Sequence, residues 1–336
     1  MGILGNGGSL IENLVLQNLA NVATKLIKTV AINSISEKTR GRRTVILKRR
    51  NIHSEQLAEL TNLYFLVAGI PIRFWSKVED WQRWEVDCFE MLNGDCFQVR
   101  NSGMRTVITD KLPGESLWDH LNRRTLTRQM LRAAAMELHR AHQFWSDEFR
   151  GRWSHGDASV TNVIYEAKTN RARLIDFEIY HEKSLPAAAR QAGDLLVFLL
   201  DLVGTVPNRQ WLAFATTFLE AYGDCEVIAQ LKQQLDPPGG LAWIWWGVRT
   251  NFTNRAKVKR RLANLSRVIG KLKLYDKAVS SARVRSKRRP SINCQTIKPG
   301  IPKPSSRTRA MTDKAKPISP HFEGSLAIPR RQATTT

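Results

Sequence analysis

The stretch that most limits what this chain can become is His155-Gly-Asp-Ala-Ser-Val-Thr-Asn162, followed a dozen residues later by Leu174-Ile-Asp-Phe-Glu178. An aspartate, an asparagine five positions on, and a second aspartate inside an apolar run are all hard oxygen donors or acceptors. Between them, Val163-Ile-Tyr165 is a short strand or loop, Lys168–Arg171 a polar turn, and Arg173–Phe177 a strand. Magnesium favours such oxygens, and phosphoryl transfer asks a protein for little beyond a cation on the phosphates, metal ligands and a carboxylate near the attacking hydroxyl. A solvated polar loop could also hold these residues, so the rest of the chain has to decide.

Upstream, Thr44-Val-Ile-Leu-Lys-Arg-Arg50 is a β-branched strand ending in cations, and Thr106-Val-Ile-Thr109 is another. Glu79–Leu92 has Trp81, Trp84, Cys88 and Leu92 on one stripe, which predicts an amphipathic helix. Leu126–Gln143 predicts a second helix, closing with Glu137-Leu-His139. From Ala187 the pattern is helical throughout, including Asp194–Val203, Arg209–Tyr222 and a basic helix over Arg249–Leu274 with no acid after Asn251. Asp110–Leu117 is a turn-bearing link between a strand-rich first part and a helical second part. The segment Asn33–Arg43 predicts a polar turn. Ser9-Leu-Ile-Glu12 has capping-box form and opens an amphipathic helix, which packs on its own domain more readily than on a membrane.

The formal net charge is +22, from 52 basic and 30 acidic residues, and it is uneven. Residues 277–336 hold 14 Lys and Arg against Asp313 and Glu323, together with seven of the 13 prolines. Such a tail predicts disorder and an affinity for anionic partners, either a membrane surface or nucleic acid. The four cysteines have neither zinc nor disulfide spacing, which predicts a reducing compartment. No apolar run is long enough to span a bilayer, and the start lacks signal-peptide form, so a cytoplasmic protein, peripheral at a membrane at most, is expected.

Taken together these segments resemble the protein-kinase-like fold. They are closest to the aminoglycoside/choline-kinase and lipopolysaccharide-kinase types of phosphotransferase. The matching residues, in order, are Val45-Ile-Leu-Lys48, Trp84-Glu85-Val86, Val107–Leu117, Glu137-Leu-His139, His155-Gly-Asp157 with Asn162, Ile175-Asp-Phe-Glu178, and Asp194. The resemblance implies an α+β, two-lobed architecture: an antiparallel-sheet N-lobe over 1–110, a helical C-lobe over 111–276 and the basic tail beyond. It also implies ATP and Mg2+ as cofactors and a hydroxyl-bearing acceptor, small-molecule, sugar or lipid-linked.

By the same resemblance Asp157 is the catalytic carboxylate, Asn162 and Asp176 hold the metal, and Lys48 with Glu85 grips the phosphates. Asp110 and Leu112, in the hinge, meet the nucleotide. Asp194, opening a helix, braces the loop, and His155 supports it by hydrogen bonds. Glu90 competes with Glu85 on the same helix, and the cations Lys48, Arg49 and Arg50 could equally form a solvated face. One departure stands out. The glycines Gly2, Gly5, Gly7 and Gly8 lie far from Lys48, so no glycine-rich phosphate loop is evident, and Lys38, Arg40 and Gly41 are the candidates to replace it. A protein serine/threonine kinase is a weaker alternative, since little chain separates Asp176 from Asp194. A catalytically silent scaffold that binds anions is another.

Overall fold

The computed structural model describes residues 32–41 and 43–272. The amphipathic segment from Ser9, the N-terminal glycines and the basic tail from Lys277 lie outside the described residues.

The first part is built on strands β1 (Asn33–Arg40) and β2 (Arg43–Arg50), an antiparallel hairpin turning at Gly41. The polar turn expected over Asn33–Arg43 is therefore a strand. Its Ser, Glu, Lys and Thr residues are exposed, and pairing with β2 makes up for what its apolar pattern lacks. Helix α1 (Ser54–Val67) and strand β3 (Ile72–Phe74) follow, then α2 (Val78–Asn93). Strands β4 (Val99–Asn101) and β5 (Thr106–Asp110) complete a four-stranded antiparallel sheet in the order β1-β2-β5-β4.

Two periodicities set this lobe. Along β2, alternation turns Ile46, Lys48 and Arg50 to one face and leaves Arg49 exposed. Along α2, Trp81, Glu85, Cys88 and Leu92 form one buried face. The two faces meet, with the Arg50 guanidinium 4.9 Å above the Trp81 ring. Of the three cations that could have formed a solvated face, only Arg49 does so, and Arg50 is 1% exposed.

The link from Asp110 is more structured than expected. It contains β6 (Glu115–Ser116) and a short helix α3 (Leu117–Asn122), whose N-terminus is closed by a capping box of Ser116 and Asp119. Gly114 has φ +107, and a Cβ there would meet the Tyr165 carbonyl oxygen at 2.1 Å, so the turn needs glycine.

Helix α4 (Arg128–His142) starts two residues later than the apolar pattern suggests because Thr127 caps it. Short strands β7 (Trp145–Ser146) and β8 (Gly151–Arg152) lead to the loop, a 3-10 turn at Val160–Asn162, and β9 (Val163–Glu166) and β10 (Arg171–Leu174). Strand β9 pairs with β10 on one edge and β6 on the other, making a second sheet. Strand β10 ends at Leu174, short of the expected Phe177, because Asp176 adopts a left-handed φ of +68 that no strand accepts. Strand β11 (Ile179–His181) then pairs with β3, tying the two lobes together.

Helices α5 (Ala187–Thr205), α6 (Asn208–Tyr222) and α7 (Cys225–Gln233) form the second lobe's core with α4. Asp194 lies in the middle of α5 and does not open it, since the helix begins earlier, after Pro186. The expected basic helix from Arg249 is two helices, α8 (Ala242–Arg249) and α9 (Arg255–Ile269). They break where Asn251 and Phe252 take left-handed φ values of +49 and +51, and Asn254 caps α9 through its side chain.

The result is α+β and two-lobed. No described helix is long and apolar enough to cross a membrane. Cys88 is a buried free thiol.

Candidate active site

Between the lobes lies a cleft of about 630 Å³. Ile35 and Ile46 of the β1–β2 hairpin face it from one side, and Ile164 and Ile175 from the other. The Lys111 ammonium reaches Glu37 of β1 at 2.7 Å, joining the hairpin to the link beside the cleft. Lys48, Glu85, Asn162 and Asp176 line the same space, as do the link residues Asp110 and Leu112.

Lys48 is buried and doubly paired. Its Nζ is 3.0 Å from Glu85 Oε2 and bonds to Asp176 Oδ1. Burial works against its charge, but the fields of Asp176, Glu85 and Glu178 outweigh it and hold its pKa above the ordinary lysine value. Glu85 is the partner, not Glu90, which is exposed. The same Glu85 oxygen accepts the Phe177 backbone N–H at 3.0 Å, so this carboxylate positions both the lysine and the residue after Asp176.

Asp176 is the most open member of the group, with its side chain 28% exposed. Glu178 accepts from Asn33 Nδ2, which fastens β1 to this segment. The Glu178 carboxyl is pushed up to about 8, first by desolvation and then by the neighbouring Asp176 charge, against the pull of Lys48 and Arg50.

The loop is fixed by its own backbone bonds. Asn162 Nδ2 donates to the Asp157 carbonyl at 2.9 Å, and its amide oxygen, which accepts from Thr161 Oγ1 at 3.4 Å, is its one atom that could also serve a cation. The Ile175 N–H donates to the Asn162 carbonyl at 3.0 Å, linking loop and Asp176 segment. His155 is fully buried. Its Nδ1 accepts the Asp157 N–H at 3.2 Å, so its Nε2 carries the proton and donates to the Ile175 carbonyl at 3.1 Å. Asp194 accepts the His155 and Gly156 N–H groups at 2.7 and 2.8 Å and bonds His142 Nε2 at 2.9 Å. Burial opposes its charge, but His181, His142 and His155 hold its carboxyl below the usual range.

Asp157 itself stands outside the cleft lining, 2.6 Å from Arg249 Nη2. Asp110 is engaged with Gln98 on both sides: its carboxylate accepts the Gln98 N–H at 2.9 Å, and its own N–H donates to the Gln98 carbonyl at 2.8 Å. Lys38 is exposed on β1 and does not line the cleft.

Sequence reasoning missed three residues. Arg249 and Asp201 flank the loop from α8 and α5, Asp201 accepting the Val160 N–H at 2.9 Å. Asn33 ties down Glu178. None of these stands near the loop in sequence, and only the absence of acids around Arg249 hinted at a cation seeking a distant partner.

Among the described residues no cluster of three or more His, Cys, Asp or Glu forms a ready metal cage. The donors present, one carboxylate and one amide oxygen, suit an ion that takes its remaining ligands from phosphates and water.

No known family's sequence profile matches the chain, and no curated protein matches it. Solved structures do. A Plasmodium vivax ethanolamine kinase is 8% identical, covering 80% of this chain and 90% of its own, with a TM-score of 0.36. An APH(2")-IIa structure, a ternary complex with streptomycin and ATP, is 13% identical over 76% of this chain and 98% of its own, at 0.35. The bifunctional kinase-methyltransferase WbdD is 17% identical over 69% of this chain and 47% of its own, at 0.34.

Proposed function

We infer that the chain is an ATP- and Mg-dependent phosphotransferase acting on a hydroxyl of a small-molecule, sugar or lipid-linked acceptor. The observation that carries this is the buried Lys48, held by Glu85 and turned onto Asp176 at the wall of a cleft that Asn162 also lines. A buried lysine fixed between two carboxylates is costly to build for stability alone, and it is suited to holding phosphate oxygens.

In this reading Ile35, Ile46, Ile164, Ile175 and Leu112, which line the cleft, would hold the purine. Lys48 meets the phosphates, while Asn162 and Asp176 hold the ion. A magnesium ion held by these two side chains would supply positive charge against the phosphates during transfer. Asp157 orients the acceptor hydroxyl and takes its proton as the new O–P bond forms, and the bond to the bridging oxygen breaks to release ADP. Lys111 and Glu37, clasping β1 to the link, do part of what a glycine-rich loop would do.

Thermal shift with Mg and ATP tests the first half. Stabilisation is expected in the wild type and not in Asp176→Ala, and absence in both counts against nucleotide binding. Asp157→Asn should keep nucleotide affinity and lose transfer to hydroxyl acceptors in a screen with labelled ATP. Turnover unchanged in that variant would remove Asp157 from the mechanism.

A further inference from the structure

Arg249 closes α8, and its guanidinium approaches the carboxylate of Asp157 to 2.6 Å, with the two side chains 13% and 17% exposed. The contact is an ion pair off the hydrogen-bond axis: Asp157 Oδ1 and Arg249 Nε are both buried without a hydrogen-bond partner among the described residues. The plane of the guanidinium is set by Trp245, whose ring centroid lies 4.2 Å away. A buried N–H with no acceptor is costly, and here it is held rigidly beside the proposed base. Such a donor calls for an acceptor from outside the chain.

Charge points the same way. The loop His155–Asn162 has no lysine or arginine, so the positive charge beside Asp157 comes entirely from α8. From Leu241 to Leu272 there is no Asp or Glu, and Arg255 stacks over Trp243 at 5.2 Å. The nearby Asp201 is a weak competitor, because burial pushes its carboxyl up to about 7 against the pull of Arg249. Neither Arg249 nor Asp157 lines the cleft, although Thr161 and Asn162 of the same loop do, so a group bound by the pair would sit outside the space proposed for the nucleotide.

An anionic acceptor brought up to a carboxylate base is repelled unless a cation stands between the two charges. A guanidinium has five N–H donors in a planar fork and can serve a carboxylate and a phosphate at once. We propose that Arg249 is a specificity determinant that binds a phosphate group carried by the acceptor, close to the hydroxyl presented to Asp157. The proposal rests on the phosphotransferase reading and names its substrate class: phosphorylated hydroxyl compounds.

The test uses the full chain saturated with Mg2+ and a non-hydrolysable ATP analogue, titrated with inorganic phosphate in a calorimeter. The wild type should bind phosphate saturably. Arg249→Gln should bind it at least tenfold more weakly, because the fork is gone, and Arg249→Lys should fall between, keeping the charge without the bidentate geometry. Arg100→Gln, an exposed cation on β4 of the first lobe, should bind within twofold of the wild type. Analogue affinity should hold within twofold throughout. Wild-type protein that takes no phosphate, or an Arg249→Gln variant that binds it as tightly, overturns the proposal while leaving the phosphotransferase reading intact. Failure of the wild type to bind the analogue overturns both. If the glutamine variant does not fold, the lysine variant carries the test: threefold weakening or more is expected, and unchanged affinity refutes it.

Discussion

The carboxylate of Asp194 accepts the backbone N–H of His155 at 2.7 Å, although one residue lies mid-helix and the other on a loop well before it in the chain. Asp194 is fully buried and also holds Gly156 and His142. Removing it strands three donors at once. Asp194→Ala should cost about 3–5 kcal/mol in denaturant unfolding, the range for one half of a buried charged pair. Asp194→Asn should cost less, and hydrogen exchange should show the His155 and Gly156 amides losing protection in the alanine variant first.

His181 gives the structure a pH dependence. Burial lowers its pKa from 6.5 to about 4, despite the nearby Asp194 charge. The unfolded chain takes the proton at about 6.5 and the folded chain resists it to about 4, so this contribution is full above 6.5 and is lost as pH falls toward 4. The difference is worth about 3 kcal/mol at 1.36 kcal/mol per pH unit. Unfolding free energies measured from pH 7 to 4 should fall more steeply for the wild type than for His181→Gln. Parallel curves would mean that the histidine titrates alike in both states.

Gly156 has φ +87, and a Cβ on it would meet the Ile179 carbonyl oxygen at 2.5 Å. Both strain and backbone collision oppose any side chain there. Gly156→Ala should lose at least about 2 kcal/mol, a Tm fall of roughly 4–8 °C, and should slow transfer by shifting Asp157. A variant with unchanged Tm would show that the loop and β11 separate easily.

Lys48 and Glu85 should be strongly coupled. Lys48→Met leaves a buried carboxylate with only the Phe177 N–H and the field of Arg50, and should cost about 2–4 kcal/mol. Adding Glu85→Gln removes the stranded charge. The double variant should therefore recover about 1 kcal/mol or more relative to the sum of the single changes. Additive effects would mean that Asp176 and Arg50 absorb the charge of either partner.

Legibility in the sequence followed the range of the interaction. The stripe of Trp81, Trp84, Cys88 and Leu92 depends on the spacing of a few nearby residues and was readable, whereas the inward turn of Lys48 was left open because Arg49 and Arg50 beside it also suited a solvated face. The β5 strand and the Asn208–Tyr222 helix were readable too, within a residue or two. The strand β1 was not, because its polar residues owe their extended form to pairing with β2. The basic helix was read as one because the break at Asn251 and Phe252 comes from left-handed backbone, which a run of helix-compatible residues does not reveal.

By itself the sequence determined the order of the chemical groups along the chain: lysine strand, glutamate helix, aspartate–asparagine loop, second aspartate. Local backbone geometry makes spacing equivalent to direction, so these could be placed on elements without any fold. The tertiary structure alone decided which groups meet. It chose Glu85 over Glu90, buried Arg50 on Trp81, put Asp194 under the loop from the middle of a helix, and set Arg249 against Asp157. Each of these pairings joins residues far apart in sequence, and a burial that removes both from water is what makes their contact count.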